Sequence, residues 1–211
     1  MNELLAWLAT LLTIAVLIAY EAVLTVAQRR RPERMARSAH AALREEWFTA
    51  VSQQKGSEIL AVQTLRNSLM SATMTASTAM LGLIGTVTLA APSLHASLGA
   101  PALLPSITPR LALELLLLAL LFASLISSAM AIRYYNHVGF ISGMPVESAA
   151  RNRWTEAGSA YVRRAGVLYS WGLRHLILVA PLLACLLHPL AGPIAAGLVV
   201  IVLQRFDRVG A

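Results

Sequence analysis

The chain has 211 residues, of which 57% are apolar and only 13% are charged, and its mean hydropathy is +0.66. A water-soluble domain carries about 25% charged residues, because its whole surface faces water. The composition therefore excludes an ordinary soluble domain. It predicts an all-α fold, a polytopic bundle of transmembrane helices that forms one integral membrane domain over residues 1–211.

The formal net charge of +7 at pH 7 would also suit a nucleic-acid-binding protein. The basic residues, however, flank long apolar runs instead of covering one face of a soluble fold, which is the arrangement that orients membrane proteins. We therefore expect the lipid bilayer as a partner and no nucleic acid. The single cysteine, Cys185, lies in an apolar run, so the chain has neither an internal disulfide nor a cysteine-based metal site.

Five apolar runs predict five membrane spans, at residues 4–27, 69–91, 111–132, 167–187 and 190–203. The first four are long enough, at about 1.5 Å per residue, to cross a hydrocarbon core of about 30 Å. The last would form only about 21 Å of helix. Four spans followed by a re-entrant tail are therefore the alternative.

The orientation follows from the distribution of Arg and Lys, which are retained on the cytoplasmic side of a membrane. Eight basic residues lie between the first and second spans and five between the third and fourth, whereas the connection 92–110 holds only Arg110. We expect the connections 28–66 and 133–166 in the cytoplasm, the N-terminus outside and the C-terminus inside. The protein is then expected in the cell inner (cytoplasmic) membrane.

Both cytoplasmic connections are predicted to be helical. Within 28–66, a spacing of four predicts an amphipathic helix whose apolar residues are Met35, Ala39, Leu43, Trp47 and Val51. Ser57 is placed to cap a further helix that enters the second span, and Pro145 with Glu147 opens a third helix within 133–166. These helices either pack against each other beneath the membrane or lie in its headgroup layer.

Small and hydroxylated residues repeat along the second span at alternating steps of three and four, so they share one helix face. They are Ser68, Ser71, Thr75, Thr78, Gly82 and Gly85. Such a face permits close helix packing, or it lines a water-accessible pathway. The two interpretations are compatible if this helix surrounds the axis of a homo-oligomer.

Two charged residues lie at matched depth inside predicted spans. Glu21 and Arg174 are each seven residues, or about 10 Å, from the cytoplasmic edge of their spans. Because an isolated charge is strongly disfavoured in lipid, the two are predicted to pair. The pair is either a structural tie between helices or part of a gate or ion-binding element.

Polar residues also collect where the second and third spans meet the cytoplasm: Gln63, Arg66, Asn67, Arg133, Asn136 and His137. They either form hydrogen bonds between the two helices or line an inner vestibule whose positive charge attracts small anions. At the outer edge, Arg110 and Glu114 are four residues apart, which predicts an ordinary surface pair.

Signals for catalysis or metal binding are absent from the sequence. The five histidines have no metal-ligand spacing, and there is no glycine-rich phosphate loop, nucleophile elbow or pair of carboxylates. We therefore expect no enzymatic activity, no metal and no cofactor.

Three segments carry a resemblance to a known family: LAVQTLRNS at 60–68 with MSAT at 70–73, IRYYNHVGF at 132–140, and PLL at 181–183. The sequence resembles the membrane proteins classified as domain of unknown function 599, which occur in bacteria and plants. The likeness extends from the first span to the last. It implies a multi-pass membrane protein and brings no activity, substrate or catalytic residue.

The leading functional hypothesis from the sequence is a homo-oligomeric ion channel or channel-like permeation protein, lined by the second span and favouring small anions. The alternative is a non-conducting membrane scaffold, or an accessory subunit of a larger membrane complex, in which the small-residue face only packs.

Overall fold

The computed structural model describes residues 3–32, 35–99 and 107–208. These ranges contain six helices: α1 Glu3–Arg30, α2 Ala36–Gln53, α3 Glu58–Leu98, α4 Pro109–Ser142, α5 Ala149–Leu187 and α6 Ala191–Phe206. Four of them, α1, α3, α4 and α5, are long and apolar enough to cross a membrane, and α6 is a shorter apolar helix. The predicted all-α membrane bundle is confirmed.

The helices are ordered around a central pair, α4 and α5. α3 packs along α4 at one edge of the bundle, whereas α2, α6 and α1 gather around α5 on the other side. One apolar core joins α1, α4, α5 and α6 through residues such as Leu17, Leu117 and Leu182. A second core lies towards the start of α5 and contains Phe48 of α2 and Val138 of α4.

Three helices are longer than a membrane requires. α3, α4 and α5 contain 41, 34 and 39 residues, or about 62, 51 and 58 Å of helix, against a hydrocarbon core of about 30 Å. Most of their excess lies at the end of the bundle where α1, α4 and α6 finish and α3 and α5 begin, here named the basic end. The predicted helical connections are thus α2 and the extensions of the long helices.

The amphipathic helix α2 is present as predicted, but its buried face is rotated from the expected one. Phe48 is 1% exposed and Ala41 is also buried, whereas Leu43 is 60% exposed. A spacing of four drifts by about 40° per step around a helix with 3.6 residues per turn. Of the predicted series, Val51 is therefore buried as expected, whereas Leu43 lies on the far side of the helix from Phe48. Gly158 of α5 makes the true contact possible, because a Cβ there would lie 2.4 Å from Phe48 Cζ.

A buried arginine joins the helix ends at the basic end. Arg151 is fully buried, and its Nη1 donates to the carbonyl oxygens of Ser142, at 2.6 Å, and Met144, at 2.8 Å. These carbonyls lie at the C-terminus of α4, where helical oxygens lack partners and a cation is favourable. Arg151 therefore stabilises the connection between α4 and α5.

Ser57 occupies the N-cap position of α3, as predicted. Its hydroxyl does not cap α3, however, because its single hydrogen is shared between the carbonyl oxygens of Val51 and Gln54, at 2.8 and 2.6 Å. The side chain thus stabilises the end of α2. α5 has the expected type of cap, since the hydroxyl of Ser148 accepts a bond from the backbone N–H of Arg151.

The last helix reverses the chain and runs back along α5. α6 has 16 residues, about 24 Å of helix. The backbone N–H of Ala36, at the start of α2, donates to the carbonyl oxygen of Asp207 at 3.0 Å, so α6 ends at the basic end. This path is the one that five spans require, and the span count stays a prediction.

The connection 92–110 is partly helical. α3 continues through Pro92 to Leu98, and α4 begins at Pro109, with the hydroxyl of Thr108 capping its first turn. The prolines Pro101 and Pro105 lie outside the described residues.

The arrangement predicts opposite accessibility for the two ends of the bundle. On a Cys185→Ser background, a cysteine at Ile107 should react with a membrane-impermeant thiol reagent added to intact cells, because positive charge keeps the basic end in the cytoplasm. A cysteine at Arg208 should react only after permeabilisation. Labelling of position 208 in intact cells would contradict a fifth span.

Candidate functional site

The centre of the polar structure is Arg174, which is 5% exposed on α5. Its Nε donates to Glu21 Oε1 of α1 at 2.5 Å, which confirms the pair predicted from matched depth. Its Nη1 donates to both carboxylate oxygens of Asp207, at 3.0 and 2.9 Å. One buried guanidinium thus joins α1, α5 and the residue that follows α6, and two carboxylates oppose its charge.

Asp207 and Tyr20 are the members that sequence reasoning missed. The hydroxyl of Tyr20 donates to Asp207 Oδ2, and the guanidinium of Arg174 lies 5.1 Å from the centre of the Tyr20 ring. One signal was available in the sequence. Asp207 is the only aspartate of the chain and ends the last apolar run, so a helix that returned along the fourth span would bring it to the depth of Arg174.

Close contact between α4 and α5 sets the direction in which Arg174 points. The carbonyl oxygen of Gly172 accepts a bond from the Ser124 hydroxyl at 2.7 Å. A Cβ at Gly172 would lie 2.3 Å from Ser128 Oγ and 3.3 Å from the carbonyl oxygen of Ser124, so a larger residue there would require Ser128 or the helix backbones to move. With this side of α5 held against α4, Arg174, two residues further on, faces α1 and α6.

A second cation extends the polar region towards α2. The guanidinium of Arg37 lies 4.1 Å from the centre of the Trp171 ring, a distance at which cation–π attraction operates, and Nη1 donates to Gln28 Oε1 at 3.1 Å. Trp171 stacks in turn on His175, with ring centres 5.5 Å apart. Burial lowers the pKa of Arg37, and the nearby charge of Arg174 acts in the same direction. Arginine remains charged at neutral pH even so.

The six residues of the small-residue face predicted on α3 differ in their exposure. Thr75 is only 7% exposed and packs at the α4 side, so the prediction that it lines an accessible face is wrong. Ser68 and Gly82 are half-buried, whereas the remaining three residues are exposed: Ser71, Thr78 and Gly85. At Gly82, α3 comes so close to α4 that a Cβ would lie 3.0 Å from Leu121 Cδ2. One flank of the face is therefore a packing seam within the chain.

The exposed residues belong to a repeat that differs from the predicted one. A period of seven connects Thr64, Ser71, Thr78 and Gly85, and a second series at the same period alternates with it: Asn67, Met74, Leu81 and Thr88. All eight are exposed, and Met74 and Leu81 are 70% and 72% exposed. These eight residues are named the α3 stripe.

The hydroxyl groups on this part of α3 already have partners. Ser68, Ser71, Thr75 and Thr78 each donate to the carbonyl oxygen four residues earlier, at 3.4, 3.1, 3.0 and 2.9 Å. Such bonds satisfy the donor while leaving acceptor capacity on the oxygen.

The predicted polar cluster at the start of α3 and end of α4 is not assembled. All six residues are exposed: Gln63, Arg66, Asn67, Arg133, Asn136 and His137. Within the described part of the chain, no hydrogen bond or ion pair joins any two of them, so the prediction that they bond the two helices together is wrong. At this level the buried residues on these helices include Leu65, Tyr135 and Val138, and the polar side chains are exposed.

Glu114 also departs from expectation. It does pair with Arg110, whose Nε lies 2.8 Å from Glu114 Oε1, but its side chain is fully buried and not at the surface. α4 places Glu114 among Leu111, Leu113 and Leu117, which are all buried. The spacing of four identified the partner, whereas burial depended on the neighbouring helices.

The comparisons with known proteins give a family and no activity. A family model described as "Protein of unknown function, DUF599" matches residues 8–211, nearly the whole chain. No curated protein and no solved structure matches.

The geometry at Arg174 predicts unequal effects of removing its charged groups. Arg174→Gln leaves two carboxylates without their cation and should cost about 3 to 5 kcal/mol, the usual loss when one partner of a buried pair is removed. Glu21→Gln and Asp207→Asn should each cost less, because the other carboxylate still balances the arginine. Thermal unfolding of the detergent-solubilised protein measures these differences.

The double variant Glu21→Gln/Arg174→Gln provides the coupling test. Its loss should be smaller than the sum of the two single losses, because neither charge remains without the other. Full additivity would contradict the pairing. Arg153→Gln, at an exposed position of α5, serves as the control and should leave the unfolding temperature unchanged.

Proposed function

The chain belongs to the DUF599 family of proteins of unknown function, and we propose from its geometry that it is a homo-oligomeric ion channel whose pathway is lined by α3. The observation that carries the proposal is the α3 stripe. It runs along a predicted span, consists largely of small and polar residues, and is exposed among the helices that the structure describes.

The period of the stripe suits assembly around an axis. A repeat of seven residues favours helices that wind around one another with a left-handed twist, and small residues allow their backbones to approach closely. Since α3 lies at the edge of the bundle and packs mainly on α4, several copies can bring their α3 helices together without rearranging the fold.

The order of residues along the stripe suits a gated pathway. Around an axis, copies of α3 would form polar rings from Ser71 and Thr78, separated by apolar rings from Met74 and Leu81. Hydroxyl oxygens can accept bonds from water or coordinate ions, and apolar constrictions close a pore by excluding water. Leu81, the more exposed of the two apolar residues, is the proposed constriction.

The charge at the basic end supports selectivity for small anions. Arg66 and Arg133 are exposed there, outside the α3 stripe, and belong to no ion pair within the described residues. Fixed positive charge at a pore mouth raises the local concentration of anions. With the basic end in the cytoplasm, as the positive-inside rule requires, the channel would lie in the cell inner membrane.

One observation favours a second candidate, a non-conducting scaffold or accessory subunit. Because the hydroxyls of Ser71 and Thr78 already donate to their own helix, the stripe needs no water and could form a dry seam between copies or with another membrane protein. In that case the oligomer would form and would conduct nothing.

Ion flux separates the two candidates. The purified protein, reconstituted in liposomes, should pass chloride faster than potassium, and Leu81→Ser should raise the chloride flux several-fold because a hydroxyl wets the constriction. The matched control is Val87→Ser. Val87 is also exposed but lies about 120° away around α3 at 100° per residue, so its replacement should leave the flux unchanged.

Absence of flux in both the wild-type protein and Leu81→Ser, with the oligomer intact by cross-linking, would overturn the channel proposal in favour of the scaffold. Equal increases with Leu81→Ser and Val87→Ser would show that the pathway is not lined by the α3 stripe.

A further inference from the structure

A cavity of about 420 Å³ lies at the basic end between α2, α5 and the end of α1. Its walls combine charged, polar and apolar side chains: Gln28, Pro32, Arg37, Ser38, Ala41, Ala42, Glu45, Arg163, Val167 and Trp171. None of these residues belongs to α3, so a ligand in this cavity would bind independently of the proposed ion pathway.

The cavity lies at the boundary between hydrocarbon and water. Gln28 is the first polar residue after the apolar run of α1, and Val167 begins the apolar run of α5. Trp171 lies one turn further along α5, and tryptophan is the side chain most typical of the membrane interface. A ligand in the cavity would be at the level of the lipid headgroups.

Two arginines on different helices supply the positive charge. Arg163 of α5 is 62% exposed in its side chain, and its Nη1 lies 3.6 Å from Glu45 Oε1, so the pair is loose. Arg37 of α2 is stacked on Trp171, and its buried Nε–H has no hydrogen-bond partner in the described structure. The cavity lining therefore contains two arginines and one carboxylate. Glu21 and Asp207, the other carboxylates near Arg37, are already bonded to Arg174.

The remaining walls of the cavity are apolar, and this distinguishes a phospholipid from a free phosphate ion as the ligand. Ala41, Ala42 and Val167 present hydrocarbon beside the guanidinium groups. A free phosphate ion would leave that surface in contact with water, whereas a phospholipid places its phosphate on the arginines and its glycerol and first methylene groups on the apolar wall.

We propose that this cavity binds the phosphate headgroup of an anionic phospholipid from the leaflet at the basic end. Arg163 and Arg37, which both line the cavity, hold the phosphate, and Ala42 and Val167 contact the start of the acyl chains. The bound lipid would connect α2 to α5 and reinforce the cation–π contact between Arg37 and Trp171.

Native mass spectrometry of the detergent-solubilised full chain tests the site, with dioleoylphosphatidylglycerol and dioleoylphosphatidylcholine as probes. We expect preferential retention of phosphatidylglycerol. Arg163→Gln should weaken it about tenfold, since it removes one charge-assisted contact. Ala42→Trp should weaken it as well by filling the cavity, because Ala42 is exposed and a larger side chain there does not enter the core.

The control is Arg153→Gln, which removes an exposed arginine of α5 outside the cavity and should leave retention unchanged. The unfolding temperature of each variant, measured in parallel without lipid, shows that the fold is intact. Equal retention of the two lipids, or equal losses with Arg163→Gln and Arg153→Gln, would overturn the proposal. Displacement of phosphatidylglycerol by millimolar inorganic phosphate would also overturn it and would indicate a site for a soluble phosphate.

Discussion

The buried charge of Arg174 is the constraint on which much of the arrangement depends. A guanidinium that is 5% exposed within an apolar bundle is stable only if carboxylates and hydrogen bonds compensate it. Glu21 and Asp207 supply that compensation, and to do so α1 and the end of α6 must both meet α5 at one level. The backbone bond from Ala36 to Asp207 then places α2 at the same point. One charge balance therefore fixes the relative positions of four helices.

The other side of the bundle is held by a different type of contact. Between α3 and α4, small side chains and glycine permit close approach, as at Gly82 and Leu121, and no buried ion pair is found there among the described residues. In a membrane such contacts depend on van der Waals packing. This division leaves α3 with an uncovered stripe, suited to self-association, and gives the α1–α2–α5 side a polar cavity suited to a lipid headgroup.

The pattern of correct and wrong predictions has a common physical origin. Glu21 and Arg174 are predictable as a pair because an unpaired charge in lipid is so unfavourable that depth alone identifies a partner. The burial of Thr75 and Glu114 does not follow from the sequence, because the helical period tells which residues share a face, but not which neighbouring helix covers it. The six polar residues at the start of α3 and the end of α4 share a level, yet the residues buried there in the second core include Leu65, Tyr135 and Val138.

The sequence by itself determined the membrane bundle, the helical connections and the intramembrane pair, because hydropathy, helical periodicity and the penalty for buried charge act locally or through depth. Only the tertiary structure decided that Asp207 shares Arg174, that Phe48 rather than Leu43 anchors α2, and that α3 lies at the edge with its stripe exposed. Each of these depends on how helices distant in sequence are rotated about their axes and packed. Composition and helical period allow several such rotations. Side-chain volume at close contacts, such as Gly158 and Gly172, selects one of them.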